Sequence, residues 1–205
     1  MKPSVKDNYG NIVRIISNNI GFDWLLPFRK ADPQTLIGSG FFIDNNGHIL
    51  TCSHCVDNAS YIYVEIPSED NKQYSAKLKG LCPFFDIALL QIEDYKNKTH
   101  CELDDGTTLI EQGMETFVLG YPLGQDNMKI TKGIISGQQY NCYQTDAPMN
   151  PGNSGGPLLY NNKVIAINSS KPSQSSEGIG YSVPIQRYFN IKEMLYDHKV
   201  KVIHY

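Results

Sequence analysis

Short apolar segments separated by turn-forming residues make up most of this chain. Each segment is about four to eight residues long and rich in Val, Ile, Leu, Tyr or Phe, with Gly, Pro, Asn or Asp near its ends. Such segments at regular spacing are typical of the strands of an all-β sandwich or barrel. The predicted strands cover residues 11–17, 36–43, 48–51, 61–66, 74–81, 86–92, 116–119, 129–136, 140–145, 157–160, 163–168 and 178–183.

Residues 185–196 differ from the rest because their apolar side chains recur at helical spacing, which predicts a terminal amphipathic helix. The polar, turn-rich residues 93–112 divide the strands into two groups. We therefore predict an all-β fold of two six-stranded Greek-key β-barrels followed by a C-terminal helix. The first barrel and the linker would occupy residues 1–112, and the second barrel and the helix residues 113–205. Residues 18–33, which include the only tryptophan, are expected to form a strand and loop that pack on the first barrel.

Composition and charge exclude several classes of protein. The formal net charge of −3 argues against nonspecific nucleic-acid binding, which depends on a basic surface. No apolar segment is long enough to span a bilayer, so we expect no membrane association. The N-terminal residues contain no apolar core of a signal peptide, and we therefore expect a soluble chain that is not exported by a cleaved signal.

The five cysteines bear on the compartment and on metal binding. An odd number of cysteines without a signal peptide favours reduced thiols in an intracellular, reducing compartment, either the cytoplasm or, for a viral protein, the virion. The abundance of Asn, Ile, Lys and Tyr suggests an AT-rich coding genome, as some viruses have. Cys52 and Cys55 have the C-x-x-C spacing of zinc and redox sites, but a structural zinc site needs a second ligand pair, and Cys82, Cys101 and Cys142 are isolated. We expect no metal and no cofactor.

Ser154 lies in a segment rich in Gly, Pro and Asn, residues 144–157, which ends where a strand is predicted to begin. Glycines on both sides permit a sharp turn that presents the serine hydroxyl and leaves neighbouring backbone N–H groups uncovered. Acyl transfer requires a nucleophile beside such donors, because negative charge develops on the carbonyl oxygen of the substrate. The same residue types also form ordinary turns between strands, so the segment alone leaves both interpretations open.

His54 follows one predicted strand, and Asp86 begins another. Serine is a weak nucleophile, so a histidine must take its proton and later give it to the leaving amine, while an aspartate fixes the tautomer and stabilises the imidazolium. The order His, Asp, Ser is one of the known orders of the catalytic triad. Singly, His54 is also explained as a structural residue and Asp86 as a turn former. Together with Ser154 they predict a triad.

Several linked motifs follow one another along the chain. They are Gly38-Ser39-Gly40-Phe41-Phe42-Ile43, Ile49-Leu50-Thr51-Cys52-Ser53-His54-Cys55-Val56, Asp86-Ile87-Ala88-Leu89-Leu90, residues 144–157 and Gly178-Ile179-Gly180-Tyr181-Ser182-Val183-Pro184. Over roughly residues 36–190 they resemble the motifs of trypsin-like serine proteases, specifically those of the HtrA/DegP branch. The resemblance implies two perpendicular β-barrels with the triad in the cleft between them. It also implies an oxyanion hole formed by the backbone N–H groups of Gly152 and Ser154.

The resemblance further implies how a substrate binds. Residues 168–171 would be the edge segment that pairs with an extended peptide. Ser169 falls where relatives keep a serine near the catalytic aspartate. Pro148 stands where trypsin has the acid at the base of its specificity pocket, so we expect cleavage after small or medium apolar residues rather than after Lys or Arg. The implied substrate-binding residues are Pro148, Met149, Asn150, Asn168, Ser169, Ser170, Lys171, Gly178 and Gly180.

The chain departs from its relatives in four places. Asn153 replaces the aspartate that pairs with a newly cut N-terminus in digestive proteases, which argues against zymogen activation. Cys55 lacks its disulfide partner, because that position is about Gly38. The chain ends soon after the predicted helix, leaving no room for a PDZ domain, and residues 136–140 are too few for the long regulatory loop of the HtrA branch. We therefore expect a protease domain that acts without PDZ-driven activation.

The sequence thus predicts a serine endopeptidase that acts on protein or peptide substrates through an acyl-enzyme. One alternative is a binding or structural protein that keeps the fold with a silent or latent site. Another is a processing protease that cuts one or a few sites in partner proteins, as viral enzymes of this fold do. The oligomeric state stays open, because residues 1–21 do not match the N-terminal residues through which HtrA relatives trimerise.

Overall fold

The computed structural model describes residues 5–19, 34–169 and 178–196. Most of the segment that contains Trp24, together with Ser170 and Lys171, lies outside the described residues. Within the described part of the chain, antiparallel strands form two modules, and one α-helix follows them. The prediction of an all-β fold with two β modules and a C-terminal helix is confirmed.

The first module is a single sheet of seven strands. They are Ile12–Asn19 (β1), Gln34–Phe42 (β2), His48–Thr51 (β3), Tyr61–Ile66 (β4), Lys72–Ser75 (β5), Lys77–Cys82 (β6) and Ile87–Gln91 (β7). Their order in the sheet is β5-β4-β1-β2-β3-β7-β6. Because β5 and β6 are consecutive in the chain yet lie at opposite edges, the sheet has to curl until its two edges approach each other. The module is therefore a half-barrel.

This module has seven strands where the sequence predicted six, because one predicted strand is divided where the sheet curls. The predicted strand over residues 74–81 is divided at Ala76, whose N–H donates to the carbonyl of Ile62 at 3.0 Å. Before this point β5 pairs with β4, and after it β6 pairs with β7. The change of partner leaves the apolar pattern of the segment unbroken, so the local sequence gives no sign of it.

The second module is a closed barrel. Its strands are Glu115–Gly120 (β8), Lys129–Gln139 (β9), Cys142–Thr145 (β10), Pro157–Tyr160 (β11), Lys163–Ser169 (β12) and Gly180–Pro184 (β13). They follow the order β10-β13-β12-β11-β8-β9. The chain between β10 and β11 carries Ser154, and β12 ends at Ser169 beside the first module.

The helix Ile185–Tyr196 (α1) has the predicted bounds. It buries Ile185, Tyr188, Ile191 and Leu195, whereas Phe189, counted in the predicted stripe, is 40% exposed. The backbone of Leu195 lies directly against Gly80 on β6, so the helix that ends the second module packs on the first.

Within the described ranges, no helix has the length and apolarity needed to cross a membrane. Short 3-10 turns cover Val5–Asn11, Ser53–Cys55, Pro67–Glu69 and Pro122–Gly124.

One hydrophobic core continues from the half-barrel into the barrel. It contains Leu50 and Leu89 of the first module together with Leu159, Ile167 and Val183 of the second. A shared core of this kind stabilises one relative placement of the two modules. The polar groups described next lie where the modules meet, so their spacing depends on that placement.

Candidate active site

His54 and Asp86 are brought together by the pairing of β3 with β7. Thr51 lies opposite Ala88 in this antiparallel pair, so the turn after β3 and the residue before β7 are neighbours. His54 lies in the 3-10 turn Ser53–Cys55, and Asp86 has a left-handed φ of 56°, which aspartate tolerates better than most residues. His54 Nδ1 lies 2.8 Å from Asp86 Oδ2 and 3.0 Å from Oδ1.

The carboxylate of Asp86 accepts further hydrogen bonds and is only 6% exposed. Ser53 Oγ donates at 2.9 Å and the backbone N–H of His54 at 3.1 Å, both to Oδ1. Ser169 Oγ, at the end of β12, donates to Oδ2 at 2.7 Å. Donors from both modules therefore fix the carboxylate, and through it the orientation of the imidazole.

These contacts shift both pKa values away from their ordinary range. Burial alone would raise the pKa of Asp86, but the hydrogen bond and charge of His54 and the hydrogen bond from Ser169 together lower it well below the usual range. Burial alone would lower the pKa of His54, but its hydrogen bonds, chiefly that with Asp86, raise it. Asp86 is therefore ionised near neutral pH. In neutral His54 it favours the tautomer in which Nδ1 carries the proton and Nε2 is unprotonated.

The loop that presents Ser154 depends on two glycines in the left-handed region, Gly152 at φ 100° and Gly155 at φ 85°. A Cβ on Gly155 would also collide with the carbonyl of Ser39 and the hydroxyl of Thr51. The N–H of Asn153 donates to Asn150 O at 3.0 Å, which closes the turn before the serine. The backbone of the loop is thus held in one sharply turned conformation.

Ser39 on β2 connects this loop to the first module. Its N–H donates to Ser154 O at 2.8 Å, and its hydroxyl donates to Gly152 O at 2.6 Å. The N–H of Tyr121 in turn donates to the Ser39 hydroxyl at 2.9 Å. The sequence motif that contains Ser39 does not by itself predict these contacts. A serine between two glycines inside an apolar strand, Gly38-Ser39-Gly40, was the available signal of a position where another backbone approaches closely.

The peptide between Pro151 and Gly152 has a defined orientation. The N–H of Leu123 donates to Pro151 O at 2.6 Å, so this carbonyl points toward the turn Pro122–Gly124. In a trans peptide the C=O and the following N–H point in opposite directions. The N–H of Gly152 therefore points away from Leu123.

The predicted substrate-binding residues occupy different environments. Met149 lies against Gly180, where a Cβ would collide with the thioether. Pro148 O accepts from Thr131 Oγ1 at 2.8 Å, and Asn150 O accepts from Asn153. Gly178 is exposed with φ 83°.

Asn168 and Ser169 contribute their side chains to the interior. Asn168 is fully buried, and its amide donates to Pro157 O at 2.9 Å and accepts from Ser182 Oγ at 3.0 Å. Ser169 Oγ is bonded to Asp86, as described above. The backbone of Asn168 is engaged as well, because its N–H donates to Gly156 O and its carbonyl accepts from the N–H of Gly155, both at 2.8 Å. Neither the side chain nor the backbone of Asn168 is therefore available to a peptide, which corrects its assignment as a substrate-binding residue.

The cysteines are free thiols, and four of the five are buried. The ligand atoms of Cys52, His54 and Asp86 lie within 4.8 Å of one another, close enough to consider a metal. However, burial raises the pKa of Cys52 well above its usual range, which disfavours the thiolate that binds metals, and its Sγ lies 3.1 Å from Asn168 O. His54 and Asp86 are bonded to each other, so the geometry fits proton transfer better than metal binding.

Comparisons with known proteins agree with this geometry. The family described as "Trypsin-like peptidase domain" matches residues 38–167. The periplasmic serine endoprotease DegP of Salmonella typhimurium is 37% identical over 175 residues, which cover 79% of this chain and 36% of DegP. The chloroplastic Protease Do-like 1 of Arabidopsis thaliana is 35% identical, with 77% of this chain and 39% of the relative covered. The chain thus spans well under half the length of these curated relatives.

A solved structure gives the same result at the level of the fold. A structure described as the HtrA-type protease AlgW with a tripeptide superposes with a TM-score of 0.77 and 28% sequence identity, covering 95% of this chain and 62% of that one. The resemblance to the HtrA/DegP branch stated from the motifs is therefore confirmed.

The compartment expected from the sequence is wrong. The relatives are named as periplasmic and chloroplastic proteins, which contradicts the expectation of a cytoplasmic or virion protein in a reducing compartment. The physical reason lies in the thiols. Buried cysteines such as Cys52 and Cys101 act as small apolar side chains, so their reduced state reflects burial and not the compartment.

Three independent observations now coincide: the order of the motifs, two β modules joined across one core, and a carboxylate-bound imidazole where the modules meet. The family match spans residues 38–167, which is more than half of the chain. The chain therefore belongs to the trypsin-like peptidase family, and its relatives are proteases of the HtrA/DegP branch.

Proposed function

We propose that this chain is a serine endopeptidase that uses His54, Asp86 and Ser154 as its catalytic triad. The observation that carries the proposal is the His54 Nδ1–Asp86 Oδ2 contact of 2.8 Å on a carboxylate that is also bonded to Ser169 of the other module. It fixes the imidazole in the tautomer that a general base requires. We further propose that residues 1–112 and 113–205 are the two units of the protease, because β7 ends at Gln91 and β8 begins at Glu115.

The reaction follows from these roles. Ser154 Oγ attacks the peptide carbonyl carbon, and its proton passes to Nε2 of His54. The imidazolium then gives this proton to the leaving amine as the C–N bond breaks, and an acyl-enzyme remains. A water molecule attacks the ester, again through His54, and releases the new carboxylate and the free serine. Asp86 stabilises the imidazolium in both steps without taking its proton.

The oxyanion hole would consist of the N–H groups of Gly152 and Ser154. The orientation of the Pro151–Gly152 peptide supports this assignment, because the Leu123 contact directs the carbonyl to one side and the N–H of Gly152 to the other. Donors held in place before reaction stabilise the negative charge that develops on the substrate oxygen, and loss of one such donor typically costs about a hundredfold to a thousandfold in kcat.

An extended peptide would pair with the backbone after Asn168, that is with Ser169, Ser170 and Lys171, because the backbone groups of Asn168 already bond within the barrel. The tripeptide of the AlgW structure supports a peptide as ligand. Pro148, Met149 and Asn150 would form one wall of the specificity pocket, with Gly178 and Gly180 opposite. Met149 packed on Gly180 makes this pocket apolar, so we propose cleavage after small or medium apolar residues.

Hydrolysis of a permanently unfolded protein tests the proposal. The wild type should degrade it, and sequencing of the products should place small or medium apolar residues before the cut. Ser154→Ala should lower turnover by about a millionfold. Equal hydrolysis by both proteins would contradict the assignment of Ser154, and absence of hydrolysis by the wild type would favour a silent or latent binding protein.

A further inference from the structure

A row of three polar side chains crosses the first module where it faces the barrel. Arg14 on β1 lies directly opposite Glu65 on β4 and directly opposite Ser39 on β2. Residues opposite each other in antiparallel pairs point to the same face of a sheet, so the three side chains lie side by side. Glu65 is 3% exposed and Ser39 is fully buried. We call these residues the polar row.

The Ser39 end of the polar row touches the catalytic loop directly. Its hydroxyl donates to Gly152 O at 2.6 Å and accepts from the N–H of Tyr121 at 2.9 Å. Tyr121 opens the loop between β8 and β9, residues 121–128, and its own hydroxyl donates to Ile12 O at 3.2 Å. One end of the β8–β9 loop is therefore anchored on the first module.

Arg14 anchors the other end of this loop. Its Nη1 donates to Gly124 O at 3.3 Å and to Asp126 Oδ1 at 2.9 Å. Its Nη2 pairs with Glu65 Oε1 at 2.9 Å. The side chain of Arg14 is 12% exposed and that of Asp126 is 80% exposed, so the guanidinium connects a buried carboxylate to a surface loop.

Leu123 lies between these two anchors and carries the contact to the catalytic loop. Its N–H donates to Pro151 O at 2.6 Å, the bond that orients the Gly152 N–H. Leu123 has a φ of 56°, a left-handed conformation that is unfavourable for leucine. A residue in this conformation needs contacts on both sides to hold it there. The chain before Leu123 is held through Tyr121, and the chain after it through the contacts of Arg14 with Gly124 and Asp126.

We propose that Arg14 is a positioning residue for the oxyanion hole. It holds Gly124 and Asp126, which keep Leu123 in the conformation that binds the Pro151 carbonyl and thereby aims the Gly152 N–H at the substrate oxygen. The inference rests on the serine endopeptidase function proposed above. It predicts that loosening Arg14 slows acyl transfer and leaves substrate binding unchanged, because the oxyanion forms only during reaction.

Two variants test the inference. Asp126→Ala removes the acceptor at the exposed end of the contact and should lower kcat about threefold, in line with an exposed ion pair, whereas Asp126→Glu should keep the contact and the rate. The double variant Arg14→Gln/Glu65→Gln removes the loop contacts without leaving a buried carboxylate unpaired, and should lower kcat about tenfold with KM unchanged. Glu115→Ala is the matched control, because it removes the surface pair with Lys132 at 2.7 Å on the same barrel.

Amide hydrogen exchange of Leu123, followed by NMR in the same proteins, provides a readout that does not depend on activity. Exchange should be faster in both loosened variants, whereas the amide of Gly156, which donates to Asn153 O at 3.0 Å, should not change. Faster exchange together with lower kcat supports the inference. Unchanged exchange of Leu123, or faster exchange with unchanged kcat, overturns it. If the wild type shows no hydrolysis, the proposed function fails, and the exchange rates alone still decide whether Arg14 holds Leu123.

Discussion

Ser169 Oγ, at the end of the second module's strand β12, donates a 2.7 Å hydrogen bond to Oδ2 of Asp86 on the first module. The same oxygen lies 2.8 Å from His54 Nδ1. One carboxylate oxygen therefore connects the barrel that carries Ser154 to the module that carries the general base. This contact ties the geometry of the triad to the placement of the two modules.

Loss of this contact should destabilise the protein in a pH-dependent way. Ser169→Ala removes a hydrogen bond to a charged group, worth about 1.5–3 kcal/mol of unfolding free energy at pH 7. The bond helps to lower the pKa of Asp86, so its contribution is present above the ordinary value of 3.8 and is lost as the pH falls through the lower folded-state value. Urea unfolding at pH 7 and then at successively lower pH should show that the difference from the wild type persists through 3.8 and shrinks only well below it, as Asp86 of the folded protein becomes protonated.

Ser182→Ala is the matched control for this prediction. Ser182 is also a buried serine, but its hydroxyl donates to the neutral Asn168 Oδ1 at 3.0 Å. It should cost about 1 kcal/mol, independent of pH over the same range. Equal pH dependence of the two variants would contradict the role given to Ser169.

The pH dependence of catalysis should reflect the raised pKa of His54. The general base must be neutral, and the Asp86 contact opposes the fall in pKa that burial alone would cause, so kcat/KM should rise with pH through an inflection above the ordinary 6.5. The stability of the folded protein changes with pH in the opposite direction. Because the pKa of His54 is higher in the folded than in the unfolded protein, His54 stabilises the fold below the unfolded-state pKa, and this contribution is lost as the pH rises through the folded-state pKa. A pH–rate profile of the wild type checks the first point; an inflection at or below 6.5 would count against the account.

Gly155 and Gly113, which both have positive φ, should respond differently to replacement by alanine. Gly155→Ala meets both a left-handed φ and a collision with Ser39 O, and should cost about 3 kcal/mol or more, or prevent folding. Gly113→Ala has a similar φ of 88° but open space around the new Cβ, so backbone strain of about 1–2 kcal/mol is the only cost. Thermal unfolding of both variants measures the difference, and equal losses would mean that the close approach of β2 is unimportant.

The sequence predicted those parts of the molecule that depend on local pattern. Most predicted strands agree with the structure to within about two residues, and α1 begins and ends where its apolar spacing predicted. The division at Ala76 was missed because it depends on which distant strand each half pairs with. Residues 18–33 and the segment after Ser169 lie mostly outside the described part, so those predictions stay untested.

In the candidate site, too, the sequence predicted the residues that stand in local motifs and missed those whose role depends on distant contacts. His54, Asp86 and Ser154 each stand in a local motif, and the structure brings the first two into contact as expected. Arg14 and Leu123 act across strand pairs or through backbone groups, and neither the spacing nor the residue type indicates such contacts in advance. For Ser39 the flanking glycines indicate a close backbone approach but not which backbone approaches. Asn168 was predicted to contact the substrate, but its side chain is hydrogen-bonded to Pro157 and Ser182. The end of β12 is buried because the barrel closes around it, and local sequence does not show this.

Covalent labelling tests the central claim most directly. The intact mass of the wild type should increase by one adduct after incubation with a fluorophosphonate probe, because the displacement of fluoride by Ser154 Oγ, which forms a phosphonate ester, requires the general base and the oxyanion donors to act together. Ser154→Ala, treated in parallel, should show no increase. Absence of an adduct on the folded wild type, or an equal adduct on Ser154→Ala, would contradict the assignment of Ser154 as an activated nucleophile.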